Sequence, residues 1–328
     1  MRALGAVLLL YAATLGVEAR AAQSPLAQAN LALQNGETDH ALALLDGQLR
    51  QNSNPADAHN LKCRVLLILE KWDPAASECE QAVKLNGQNS DYHMWLGRAL
   101  GERASRASFM SAYSLGKRSR AEFEQATRLD GRNAAAMADL GEFYYSAPGV
   151  VGGGMDKAAN VARQLDHVDQ VRAHELRGRM AEQQKDYGSA EREFKLALSV
   201  AQQPAFQWIT LASFYRRHSR WQEMETAIHN GQAAASRDRR SAVALYDGAS
   251  ILRRSRRDPG LEQKLLESYL ASPVKTEEAP AFVAHLWLAE LKAQAGDGAG
   301  AERERQAALG LAHDYRPAVE FKSQGGRH

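Results

Sequence analysis

The chain has 328 residues, 45% of them hydrophobic and 24% charged, with 41 Lys and Arg against 39 Asp and Glu. A net charge of +2 over that length gives no electrostatic reason for a nucleic acid or an anionic membrane as main partner. The length suffices for two ordinary domains or for one long repeat array.

Residues 1–21 read as a removable leader. Arg2 supplies a positive start, "ALGAVLLLYAATLGV" follows from Ala3 to Val17, and Ala19-Arg20-Ala21 is an A-x-A cleavage signal. The apolar run is shorter than the roughly 20 residues that span a bilayer, and no Cys follows the cleavage site to take a lipid. Without Arg2, Glu18 and Arg20 the charge becomes +1 (39 basic, 38 acidic). No second apolar run reaches membrane length. The expectation is an exported protein without an integral membrane segment, periplasmic in a Gram-negative host, with secretion to the medium as the alternative.

From Ala22 onward the sequence repeats. Ala29, Cys63 and Gly97 are spaced 34 apart, as are Gly178 and Ala212, and a second series (Ala41, Ala75, Ala190) is offset by twelve from the first. "WLGRAL" (95–100), "DLGEFYY" (139–145) and "TLASFYRR" (210–217) carry the contacts of a first helix. "RAEFEQATRLD" (120–130) and "YGSAEREFKLAL" (187–198) carry the apolar stripe of a second. His59, His93 and His174 stand where this pattern usually has Trp.

These residues resemble the tetratricopeptide repeat (TPR) family, with its W-x2-L-G-x2-Y and A-x3-F-x2-A marks. The resemblance implies an all-α solenoid of about eight helix pairs wound as a right-handed superhelix. Units are placed at 22–55, 56–89, 90–132, 133–169, 170–204, 205–240, 241–278 and 279–317, with a flexible tail at 318–328. First helices would line a concave face that binds peptides or helices of partner proteins. An exposed end repeat would offer a surface to a second copy.

Helix punctuation fits the scheme. Asp73-Pro74 and Asp258-Pro259 each offer an N-cap followed by Pro. Arg253, Arg254, Arg256 and Arg257 would end a first helix, where positive charge suits the dipole.

Two departures from the period stand in adjacent units. Gly97 to Gly141 is ten residues too long, through "ERASRASFMSAYSLGKRSR" (102–120). Gly141 to Ala158 is five too long, through "SAPGVVGGGMDKA" (146–158). Both fall between the two helices of a unit, so they are expected as neighbouring loops on one edge. Phe109, Tyr113, Pro148, Gly152, Gly153 and Gly154 are the candidates there for an accessory lip. The combination also resembles a subgroup of exported bacterial TPR proteins. A small-ligand carrier, with a cavity under both insertions, is the alternative reading.

No catalytic constellation emerges. Gly149 and Gly154 have P-loop spacing, but Met155-Asp156 replaces Lys-Ser and the preceding segment reads as helix. Ser114-x-x-Lys117 and Ser272-x-x-Lys275 lack their companion motifs. His167 and His174, with Asp166, Asp169 and Glu175 nearby, match no common metal site. The chain is therefore read as a non-enzyme with no cofactor and no metal. Cys63 and Cys79 fall on facing helices of the second unit and are either a disulfide or two small buried thiols. Counting from the small marks, Asn60, Arg64, Arg98, Glu142, Tyr145, Arg179, Arg216 and Arg217 face the groove. The arginines favour an acidic or C-terminal peptide.

Overall fold

The computed structural model describes residues 24–51 and 55–322, and among these the chain is helical throughout, with no strand. The leader expected at 1–21 lies outside the described residues. The helices come in antiparallel-sequence pairs. These are α1 (Pro25–Asn35) with α2 (Thr38–Gln51), α3 (Pro55–Ile68) with α4 (Trp72–Leu85), α5 (Ser90–Ala104) with α6 (Phe109–Leu129), and α7 (Ala134–Ser146) with α8 (Met155–Leu165). They continue as α9 (Gln170–Gln183) with α10 (Tyr187–Val200), α11 (Pro204–Arg217) with α12 (Trp221–Arg237), α13 (Val243–Ser255) with α14 (Pro259–Ala271), and α15 (Ala281–Gln294) with α16 (Gly298–Leu311). A short α17 (Arg316–Glu320) follows.

The small marks show why the pairs form. A Cβ on Gly97 would lie 2.6 Å from the Phe123 ring, and one on Gly178 would lie 2.6 Å from the Phe194 ring. The missing side chain is the seat for an aromatic ring of the second helix. Cys63 and Cys79 hold the same relation in the second pair. There the contact is covalent: the two cysteines form a disulfide with Cα atoms 5.3 Å apart.

Four pairs carry a further pin. His59 meets Glu78 at 2.5 Å, His93 meets Glu122 at 2.5 Å, His174 meets Glu193 at 2.7 Å and His285 meets Glu304 at 2.8 Å. The position usually given to Trp thus holds a polar clasp between first and second helix. His93 Nε2 also faces the Gly87 carbonyl at 3.1 Å. Both ring nitrogens meet oxygen atoms, an arrangement that favours the doubly protonated ring. The Glu122 hydrogen bond raises the imidazole pKa against the opposing effect of burial.

Caps fix the helix starts. Asn89, Asn133, Asp169, Asp186, Asp258 and Asp297 accept backbone N–H groups of their first turns. Asp73 does not act as an N-cap. Helix α4 begins one residue earlier, at Trp72, and Asp73 sits in the first turn, paired with Arg103 at 2.7 Å. Helix α13 does end in the arginine run. Arg253 pairs there with Glu262 and Glu290, and Arg257 with Glu225.

The first insertion is not a loop. Its residues lengthen α6 to 21 residues, where its counterparts α4 and α10 have 14. The sequence there is free of Pro and rich in Ala and Ser, so helix propagates through it. The second insertion is irregular and holds one 3-10 turn, Gly149–Val151. The two do touch: Val151 packs over Gly116, and the Arg120 side chain lies against Gly152.

The array closes on itself. One apolar cluster unites Ala29, Leu33 and Leu45 of the first pair with Phe282 and Leu286 of α15, Ala308 of α16, and Tyr315 and Ala318 beyond it. Gly36 ends α1 in the left-handed region at φ +77°, and a Cβ there would lie 2.9 Å from the Ala281 nitrogen. Thr38 Oγ1 donates to the Leu311 carbonyl at 3.1 Å, and Lys71 pairs with Asp314. The other face of α15 (Ala284, Leu288, Leu291) joins the core of the fifth to eighth pairs. The end repeats therefore cover one another rather than standing exposed for a second copy. Residues 318–321 are not a loose tail either. Ala318 is fully buried, its carbonyl accepts from Arg305 Nε at 2.9 Å, and Phe321 packs on the same cluster.

Candidate functional site

Closure turns the concave face into a lumen. First helices line it, because each first helix carries the small marks that draw its partner to the outer layer. A cavity of about 730 Å³ is bordered by Trp95, Arg98, Asp139, Glu142, Glu277 and Glu278, among others. A second, of about 540 Å³, is bordered by Glu142, Tyr145, Arg179, Arg216, Arg217 and Arg254, with Arg172, Glu175, Thr210 and Ser213 also at its wall.

Most of the groove candidates meet here. Arg98 is held by Asp139 at 2.6 Å and stacks on Trp95. Tyr145 is pushed up to about 12 by burial and by Glu142. Arg217 donates twice to Glu182, at 2.6 and 2.8 Å, and His218 meets the same carboxylate at 2.9 Å. Burial pushes the Glu182 carboxyl up, but these partners outweigh it and hold it below its ordinary range. Arg179 lies over the Phe194 ring, with Glu182 at 3.6 Å. Burial, and then Arg217, pull its guanidinium down.

Arg216 is different. Its Nε is buried and meets no acceptor, and burial together with Arg217 and Arg254 lowers its pKa. The Arg216 Nε thus stands without an acceptor beside two other guanidinium groups. Asn60 departs from the expected set: it is buried within α3, its Oδ1 has no partner, and it borders neither cavity.

The sequence reading missed the acidic side of the lumen. Asp247 feels the charge of Glu278, and its carboxyl is pushed up to about 7 by burial, then by Glu278, against the pull of Arg254. Arg64 is already occupied. It donates to Glu277 through Nε at 3.0 Å and Nη2 at 2.6 Å, across 213 residues of sequence. Asp139 and Glu175 could have been found one turn from the marked positions; Glu277 could not, because it lies in the connection after α14.

The edge candidates sit apart from both cavities. Phe109 and Met110 are 81% and 74% exposed at the free tip of α6. The Lys117 ammonium lies over the Tyr113 ring, 5.3 Å from its centroid. Pro148 precedes the 3-10 turn, Gly152 ends it in the left-handed region, Gly153 abuts the Ala147 carbonyl, and Gly154 donates to the Tyr144 carbonyl at 2.8 Å. The 730 Å³ cavity has Glu102, Ser105 and Ser119 of the first insertion and Ser146 of the second in its wall, but none of the edge candidates. Asp39, His313 and Asp314 form a group able to offer three metal ligands at the seam, but His313 donates to Asp39 and Lys71 neutralises Asp314. Among the described residues no helix is long and apolar enough to cross a membrane.

No family model matches the sequence, and no curated protein does. Solved structures do. A thermophilic TPR protein of Thermus thermophilus aligns over 58% of this chain and 97% of its own, at 20% identity and a TM-score of 0.50. The fold is a tetratricopeptide-repeat solenoid. Two further TPR proteins are similar over more of the chain but less closely in shape. The C-terminal part of a TPR repeat-containing protein from Cytophaga hutchinsonii covers 90% of this chain and 98% of its own (14% identity, TM-score 0.42). A tetratricopeptide repeat protein from Parabacteroides merdae covers 82% and 97% (14% identity, TM-score 0.40).

Proposed function

We propose that this TPR solenoid is an exported, non-enzymatic scaffold whose lumen receives an acidic segment of a partner protein. One observation carries the reading: Arg216 and Arg254 face the 540 Å³ cavity from adjacent first helices, and the buried Arg216 Nε meets no acceptor. Holding like charges together without an acceptor is unfavourable, and a bound carboxylate reverses the sign of that interaction. Tyr145, Thr210 and Ser213 add neutral hydrogen-bonding groups at the wall. The Cys63–Cys79 disulfide supports export to an oxidising compartment such as the periplasm. The exposed tip of α6 at Phe109 and Met110 supports an accessory lip for the same partner.

The test uses fluorescein-labelled hexaglutamate, with hexalysine as control, and anisotropy as the readout. R216Q/R254Q should bind the acidic probe roughly 10- to 100-fold more weakly than wild type, as expected for two charge-assisted hydrogen bonds. Equal affinity for both proteins, or equal binding of hexalysine, overturns the reading.

A further inference from the structure

Consecutive pairs are joined by four residues at 86–89, 130–133 and 166–169, but α14 and α15 are joined by nine, 272–280. The base of this connection is fastened. Tyr269 Oη donates to the Ala279 carbonyl, and Lys275 Nζ donates to the carbonyls of Tyr269 and Leu270 at 3.0 and 3.1 Å. The extra length brings Glu277 and Glu278 to the wall of the 730 Å³ cavity.

There Glu277 is buried and clamped by Arg64. Arg64 and Arg98 both lie against the Trp95 ring, with guanidinium carbons 5.1 and 4.5 Å from its centroid. The shelf is thus two cations on one indole, and an acidic side chain from the turn at 276–279 rests on it. That is how a partner's carboxylate would be held. Here the carboxylate belongs to the chain itself.

Beyond the Arg64 clamp, the Glu277 backbone N–H donates a long hydrogen bond, 3.4 Å, to Gln34 Oε1. Thr276 Oγ1 is buried without a partner. Glu278 stands exposed at the walls of two cavities, and Asp139 and Asp247 both feel its like charge. Closure does not depend on the clamp, because the apolar cluster between α1 and α15 makes the seam.

We infer that the shelf of Arg64, Trp95 and Arg98 is a second carboxylate-binding subsite of the lumen. The chain's own Glu277 fills it, and an acidic partner segment takes it by displacing residues 276–278. The inference rests on the acid-binding reading of the lumen, and the experiment separates the two. The same hexaglutamate probe is titrated into wild type, E277A, E277A/R64Q and R216Q/R254Q. E277A should bind about tenfold more tightly, since an internal competitor at high effective concentration is removed, and adding R64Q should abolish the gain. In wild type, the probe should speed hydrogen exchange in residues 272–280. An E277A protein with unchanged or weaker affinity overturns the inference, whether or not its melting temperature falls. So does unchanged exchange at 272–280 under probe saturation. A loss confined to R216Q/R254Q leaves the first reading standing and removes this one; a gain in E277A without that loss does the reverse.

Discussion

Replacing Phe282 by Ala should open the ring while leaving its helix pairs intact. Phe282 is fully buried, with its ring 4.8 Å from that of Tyr315 and Gly36 against its edge. An aromatic side chain buries roughly 150–250 Å², which at about 25 cal/mol per Å² gives roughly 4–6 kcal/mol. Core Phe-to-Ala changes cost about 3–5 kcal/mol, so about 4 kcal/mol is expected. The polar seam contacts cannot compensate: a hydrogen bond such as Thr38 to Leu311 contributes about 1 kcal/mol. The control is Phe194→Ala, equally buried but inside the fifth pair, against Gly178 and Phe214. Both variants should lose similar free energy in urea. Only F282A should show a larger radius of gyration by small-angle scattering, with its helical circular dichroism unchanged, because a solenoid's units are stabilised chiefly by their neighbours. Equal radii for the two variants, or general loss of helix in F282A, would refute closure through this cluster.

Other measurements probe other parts. Reducing the Cys63–Cys79 bond, which closes a loop of 16 residues, should cost up to about 3 kcal/mol by the loop-entropy relation; a urea midpoint unmoved by phosphine reductant contradicts this. Asp247 has its carboxyl raised to about 7, so its charged form opposes folding. That penalty is absent near pH 4, grows between pH 4 and 7, and is complete above. At about 1.4 kcal/mol per unit the ceiling is about 4 kcal/mol, and partial solvent contact reduces it to about 2 kcal/mol. Asp247→Asn should therefore raise the melting temperature at pH 8 and leave it unchanged at pH 4. His93 has the opposite sense. Its pKa is raised by Glu122, so its contribution is full below about pH 6.5 and is lost as pH climbs through the folded value. The melting-temperature gap between wild type and His93→Ala should narrow from pH 6 to pH 9, and proton NMR of the imidazole should titrate above 6.5.

The helix pairs were legible because a close approach leaves a small residue in the text every 34 positions, as at Cys63 and Gly97. The address of the insertions was legible for the same reason. Their form was not: a gap in a period counts residues but does not say whether they coil, and α6 simply grew. The His–Glu clasps were written as His, eighteen residues, then Glu at 59, 174 and 285, yet they read as damaged Trp positions. In the lumen, phase from the small marks located Arg98, Glu142, Tyr145, Arg179, Arg216 and Arg217, since helical geometry alone decides which way they face. It failed at Asn60, which is buried and borders neither cavity. Closure was illegible because it sums small rotations across every pair, and no local pattern encodes the total. Arg64 could not be known to be occupied until α15 was seen beside α1.

Because α15 seats against α1, the number of pairs is pinned. An open array can gain or lose a unit and merely change length. Here an added pair would overlap the Phe282 seat and a missing one would leave it empty, much as strand number is set in a closed barrel. The start of the chain is correspondingly arbitrary. With Leu26 and Phe321 both on the seam, the polypeptide could be joined there and cut between another two pairs, and the same circle should form from a permuted sequence.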